Sequence, residues 1–229
     1  MLNEIALTAK ASQGDLAAMV DLGGLFAGEN RIEEALTWWR KATEGGHGGA
    51  AHNLLMTYMM LPAPDKRKKL LISFYIEPQS GNRDPADFRN LAEKLANYKN
   101  GWAKTLYGVI VSGGNHMMFV KAFGEDAYVE QRDPQSGHNY IEAGVKLARN
   151  SLDYYDYSAI VSAYYRPVDS KEKGVSGHSI EELKKAKEYS LIALNKVQYM
   201  DLPVERKAEY EKQWQGRIET FNKQISDRS

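Results

Sequence analysis

Histidines, carboxylates, serines and lysines are the side chains with which this cysteine-free chain would do chemistry, and their spacing decides whether they meet. The five histidines are His47, His52, His116, His138 and His178. None stands in the His-Glu-x-x-His arrangement that puts two imidazoles and a base on one helical face. His47 and His52 are five apart, which on a helix points them away from each other, so they read as structural or surface groups. Gly45-Gly46-His47-Gly48-Gly49 resembles a phosphate cradle, in which backbone N–H groups at a helix start hold an anion. It lacks the preceding strand and the closing Lys-Ser/Thr, and so reads as a turn between helices. No serine has the context of a nucleophile elbow. No catalytic residue, metal ligand or cofactor site is predicted. Two clusters suit binding instead. Lys66, Arg67, Lys68 and Lys69 would meet phosphates or an acidic partner, although four such charges are ordinarily a solvated turn. Tyr154, Tyr155, Tyr157, Tyr164 and Tyr165 alternate with Asp153 and Asp156. Most of these rings are expected in a helical core. Tyr154 and Tyr157 are candidates for contact with a partner, because tyrosine offers large area at little entropy cost.

Composition narrows the classes. Thirty basic and thirty acidic residues cancel, so no net field favours nucleic acid or an anionic membrane. The uncharged stretch Thr105 to Val120 contains Ser112-Gly113-Gly114-Asn115-His116 and falls short of the roughly 20 apolar residues that span a bilayer. Met1 to Asp15 lacks a signal peptide's basic start and long apolar run, so a cytoplasmic protein is expected. A hydrophobic content of 43% over 229 residues is enough to bury a continuous core.

The elements come from periodicity. Leu2, Ile5, Ala6 and Ala9 predict a short opening helix, ended by Gly14, with Asp15 as cap of the next. Ala18, Leu22, Gly23 and Phe26 give one stripe over 16–28, and Gly23 would let a neighbouring helix approach closely. Ala35, Trp38, Trp39 and Ala42 form a wide apolar face over 32–44. A shift of 32 residues lays Gly14 on Gly46, Ala18 on Ala50, Leu22 on Leu54 and Phe26 on Tyr58, the mark of a repeat array. Phe88, Leu91, Ala92 and Leu95 face inward on a helix started by Asp84-Pro85. Ala103, Leu106 and Ile110 do so after Gly101. A helix from His138 to Asn150 is read with Ala143 and Leu147 on its stripe, then one over about 151–165. Ala186, Tyr189 and Ala193 echo Ala35, Trp38 and Ala42 at a shift of 151. Trp214, Ile218, Phe221 and Ile225 mark a terminal helix that covers an open hairpin face. The expected fold is all-α: an α-solenoid of about four antiparallel helix pairs with a C-terminal capping helix. Its units are placed at about 14–47, 48–100, 101–150 and 151–200, and the cap at 203–226, all in one domain. Residues 61–83, 115–137 and 166–178 are read as insertions between the paired helices, emerging along one edge that carries Lys66 to Lys69 and Glu125-Asp126.

Leu22, Gly23, Phe26, Ala35, Trp39 and Ala42 have the spacing of the tetratricopeptide consensus. Asp21 to Phe26, followed by Glu34 to Ala42 and Glu44-Gly45, more specifically resembles a Sel-one-like repeat. The resemblance is strong over 14–58, moderate over 179–193 and weak between. It implies a role as an adaptor or scaffold, in bacterial signalling, secretion and host contact or in eukaryotic protein quality control. Carrying the tetratricopeptide register over puts Ala17, Val20, Gly24 and Ala27 on a concave groove. Gly49, His52, Met56 and Met59 follow them in the second unit, and Gly101, Lys104, Gly108 and Val111 in the third. The resulting expectation is a non-enzymatic adaptor that binds a protein or peptide on this groove and the insertion edge. An alternative is a bacterial immunity protein that blocks a toxin, and a third is an enzyme of unknown type.

Overall fold

The computed structural model describes residues 2–60, 67, 70–71, 85–114, 132–165 and 178–229. Among these residues there are ten helices and no strand, and no helix is long and apolar enough to cross a membrane. The helices are α1 (Leu2–Ser12), α2 (Leu16–Gly28), α3 (Ile32–Glu44), α4 (Gly48–Met60), α5 (Pro85–Ala96), α6 (Gly101–Val111), α7 (Pro134–Ala148), α8 (Tyr154–Tyr164), α9 (Ile180–Val197) and α10 (Val204–Ser226). The chain divides into two compact units, Met1–Tyr107 with Glu142–Ser151, and Gly108–Ile141 with Leu152–Ser229.

In the first unit α1, α2 and α3 each end where the backbone turns left-handed. Gly14, Asn30 and Gly46 have φ of 92°, 61° and 98° and follow one another at sixteen-residue intervals. After each, the next amide reaches back to a carbonyl in the last turn: Asp15 N–H to Lys10 (3.2 Å), Arg31 N–H to Phe26 (2.8 Å) and His47 N–H to Ala42 (2.9 Å). This closure satisfies carbonyls that a helix end leaves open, and it suits glycine or asparagine because a Cβ is penalised there. Asp15 then caps α2 by accepting the Ala18 N–H at 3.0 Å, as its position predicts.

Packing follows the stripes. α1 lies on α2, α2 on α3, α3 on α4 and α4 on α5. Repeat-equivalent positions are buried alike: Ala18 with Ala50, Leu22 with Leu54, and Phe26 with Tyr58. Phe88, Leu91, Ala92 and Leu95 are wholly buried on α5. Gly23 is a notch for the indole of Trp39, whose Nε1–H donates to the Val20 carbonyl at 3.2 Å. A Cβ at Gly23 would stand 2.4 Å from that nitrogen. Arg31 ties the α2–α3 turn together, 4.0 Å over the Phe26 ring and within 2.7 Å of Glu34, 2.9 Å of Glu29 and 3.1 Å of Glu4. Arg31 holds the Glu34 carboxyl below its ordinary range. Solvated pairs of this kind orient the turn more than they stabilise it.

α6 and α7 meet backbone to backbone. In the first unit, a Cβ at Gly101 would fall 2.5 Å from that of Ala148, and one at Gly144 would fall 2.4 Å from Thr105 Oγ1. The pairing descends along α7 as it ascends α6, so the two run antiparallel. This contact revises the reading of 138–150. Ala143 and Leu147 are exposed, while Ile141, Gly144 and Val145 are buried, because the glycine face is the one pressed against α6. The helix also begins at Pro134, four residues before His138. Asp133 accepts the Ser136 N–H at 3.1 Å, so Asp133-Pro134 is the same cap-and-proline start recognised at Asp84-Pro85. Gly137 lies inside the helix and faces Ser112 in the second unit.

The second unit pairs α8 with α9 and lays α10 on α9. α8 starts later than expected, because Asp153 and Asp156 form a reciprocal capping box. Ser179 and Glu182 do the same for α9. Tyr164 stacks on Tyr189 at 5.7 Å and on His138 at 3.9 Å. On α10 only Trp214 and Phe221 are buried, with Ile218 and Ile225 half-buried.

Candidate functional site

The predicted groove residues divide sharply by what their side chains already touch. Val20 is half-buried on α2, and its carbonyl carries the Trp39 indole. His52 is half-buried on α4, with its ring edge-on to Trp102 at 5.3 Å. Met56, one turn further along α4, is half-buried too. Met59 and Val111 are 8% and 4% exposed, so both belong to the core and offer no contact surface. Lys104 is half-buried, and its ammonium donates to the Ala96 carbonyl. That carbonyl lies in the last turn of α5, where a cation offsets the helix end's partial negative charge.

Of the basic run, Arg67 is half-buried, while Lys66, Lys68 and Lys69 lie outside the described residues. Most of the insertion edge, Glu125 and Asp126 included, lies outside them as well. Most of the tyrosine cluster is core. Tyr157 is wholly buried and stacks on Tyr189 at 6.1 Å. Tyr154 is 8% exposed, and its hydroxyl accepts the Trp214 indole N–H at 3.0 Å. Burial pushes the Tyr154 phenol above its ordinary range. Neither ring is left for a partner, because positions three apart on α8 share the face that meets α9 and α10. Tyr155, on the other face, is 39% exposed. Asp153 and Asp156 are occupied with capping rather than forming an acidic patch.

The glycine run at 45–49 holds α3 and α4 against the turn before α6. A Cβ at Gly46 would lie 2.7 Å from the Lys99 carbonyl, and one at Gly48 would lie 3.2 Å from Trp102. Asn100, wholly buried, locks this junction by accepting the Ala103 N–H at 2.9 Å and donating to the His47 carbonyl at 3.1 Å. His138 sits in the second unit, with Nε2 3.2 Å from the Ala163 carbonyl. Among the described residues no group of three His, Asp or Glu side chains is close enough to hold a metal ion.

One cavity was not anticipated. A cleft of about 390 Å³ opens between α8 and α10, lined on one side by Ser158 and Ser162 and on the other by Arg217 and Thr220. The available signal was Ser158 and Ser162, short side chains four apart in the helix. Compared with protein-family models, curated proteins and solved structures, the chain matches none.

Proposed function

We propose that the chain is an α-solenoid of about four antiparallel helix pairs closed by α10. It serves as a non-enzymatic adaptor that holds a protein or peptide on the face of its first helices. The observation that carries this reading is a pattern of exposure kept in register. α2 and α4 bury the same five repeat positions, Ala18 with Ala50, Met19 with Ala51, Leu22 with Leu54, Gly23 with Leu55 and Phe26 with Tyr58, and each leaves a second stripe less covered. Val20 and His52 are repeat-equivalent and both half-buried, and exposed Gly24 is equivalent to half-buried Met56. A helix shared between a core and a ligand needs such a second stripe. Val20 and Met56 are apolar, and methionine reshapes to fit, so the stripe suits the apolar side of an amphipathic segment.

The test is capture with the intact chain. Partners cross-linked by the wild type are compared with those held by the double variant Val20→Glu, Met56→Glu, with circular dichroism confirming equal helicity. Loss of a reproducible partner from the variant supports the proposal. Retention of every partner by the variant, or the lack of any saturable partner, refutes it.

A further inference from the structure

The geometry points to a second binding site in the cleft between α8 and α10, one that takes a peptide-like carboxylate: a terminal carboxyl group beside an amide N–H and an apolar side chain. It lies wholly in the second unit and stands or falls independently of the face described for the first helices.

Two pairs of rings hold the helices apart. At one end the Trp214 indole meets Tyr154, with centroids 6.1 Å apart and the hydrogen bond at 3.0 Å. At the other end Tyr165 packs edge-on to Phe221 at 4.8 Å, and the Gln224 amide donates to the Tyr165 hydroxyl at 3.1 Å. Between these pillars α8 presents Ser158 and Ser162, which are too short to span the gap, beside Val161. The resulting volume of about 390 Å³ falls within the size range of small-ligand sites. Phe221 and Val161, 1% and 2% exposed, give the cleft an apolar floor.

Its charge is one-sided. Arg217 lines the cleft with its guanidinium 4.8 Å over the Trp214 ring, and it makes no ion pair among the described residues. Arg206, earlier on the same helix, is by contrast paired with Glu209 at 3.0 Å. Among the described residues the lining holds no carboxylate. A guanidinium steadied on an aromatic face keeps its fork of donors for a carboxylate, which it binds with two parallel hydrogen bonds. The Thr220 hydroxyl supplies the complementary half. It donates its own proton to the Gly216 carbonyl at 2.9 Å, and its oxygen remains an acceptor, suited to an amide N–H. Carboxylate, amide N–H and apolar side chain occur together in an N-acylated apolar amino acid, either free or as the last residue of a polypeptide.

Isothermal titration of the full chain tests this with three probes: N-acetyl-phenylalanine, its neutral amide, and a pentapeptide ending in phenylalanine with a free carboxyl group. The acid is expected to bind saturably, and the amide about tenfold or more weaker, as the loss of a charge-assisted pair requires. Arg217→Met, which keeps the stem over Trp214, should weaken the acid by a similar factor without lowering the melting temperature. Arg217→Lys, which keeps the charge, should fall between. A pentapeptide that binds tighter than the single residue assigns a polypeptide C-terminus as the source, and equal affinities assign the free acyl amino acid. Equal binding of acid and amide, full affinity in Arg217→Met, or no saturable binding of either carboxylate overturns the assignment. A ligand at the cleft should also shift the indole N–H resonance of Trp214 and leave those of Trp38, Trp39 and Trp102 in place.

Discussion

Gly23 and Gly24 are neighbours in the sequence, and the structure predicts opposite outcomes when each becomes alanine. At Gly24 a Cβ meets nothing within 4 Å, and the residue is exposed. Gly24→Ala therefore gains only helix propensity, about 0.8–1 kcal/mol. At Gly23 the same carbon would stand 2.4 Å from Trp39 Nε1 and 2.6 Å from Cδ1, contacts no real Cβ makes. The indole cannot swing aside cheaply, being 6% exposed and bonded to the Val20 carbonyl. Overpacking of this sort costs about 1–3 kcal/mol. Displacing the indole N–H from its acceptor adds about 0.5–1.5 kcal/mol. Against the propensity gain, Gly23→Ala is destabilising by about 0.5–3.7 kcal/mol, or roughly 2–4 °C in melting temperature per kcal/mol for a chain of this length. Urea unfolding followed by circular dichroism measures both variants. In a Trp39→Leu background, where the flat ring is gone, the penalty at Gly23 should shrink. Shifts of the same sign in the two single variants, or a Gly23 penalty unchanged by Trp39→Leu, would refute the notch.

Gly137→Ala should lower the urea midpoint further than Gly23→Ala. Its Cβ would fall 2.0 Å from Ser112 Oγ and 2.7 Å from the Gly108 carbonyl, and a backbone atom has less room to yield. A smaller drop than at Gly23 would show that α6 and α7 are not pressed together there. Asp133 should titrate below the ordinary aspartate range, because the Ser136 hydroxyl and then its amide favour the carboxylate. A depressed folded value means the contribution to stability is present above the unfolded value and is lost as pH falls through the folded one. Carbon-detected NMR should show this midpoint rising in Ser136→Ala, and an unmoved midpoint would refute the cap.

What was legible in the sequence was whatever one residue type does alone. Gly14 and Gly46 stop helices, Asp15 starts one, and a stripe such as Phe88, Leu91, Ala92 and Leu95 needs no partner to be recognised. What was not legible depended on the neighbour. Gly137 read as the end of a loop because a glycine inside a helix is costly, and only Ser112 opposite explains it. Tyr154 and Tyr157 have the composition of a contact surface, and the pairing of α8 with α9 and α10 is what encloses them. Met59, Val111 and Lys104 read as groove positions from the register alone, yet burial in two and the Ala96 carbonyl in the third engage their side chains. The cleft escaped notice for the converse reason: it is defined by the shortness of Ser158 and Ser162 relative to the rings on either side.

The same physics shows two distinct ways in which helices of this chain interlock. α2 and α3 interlock by setting a large ring into a small notch, Trp39 into Gly23, and that pairing leaves a sequence mark of one aromatic and one glycine at fixed spacing. α6 and α7 interlock by removing side chains from both partners. Gly101 and Thr105 meet Ala148 and Gly144 in the first unit, and Gly108 and Ser112 meet Gly137 in the second. Both solutions bring two antiparallel helices into close contact, but the second replaces aromatic burial with backbone proximity. A pattern built on aromatic positions therefore does not mark the contact of α6 with α7. In such a segment the spacing of small residues, at four, seven and eleven after Gly101 and at seven and eleven after Gly137, is the mark that shows which face is buried. It assigns Ile141 and Gly144 to the core and leaves Ala143 and Leu147 outside, as observed.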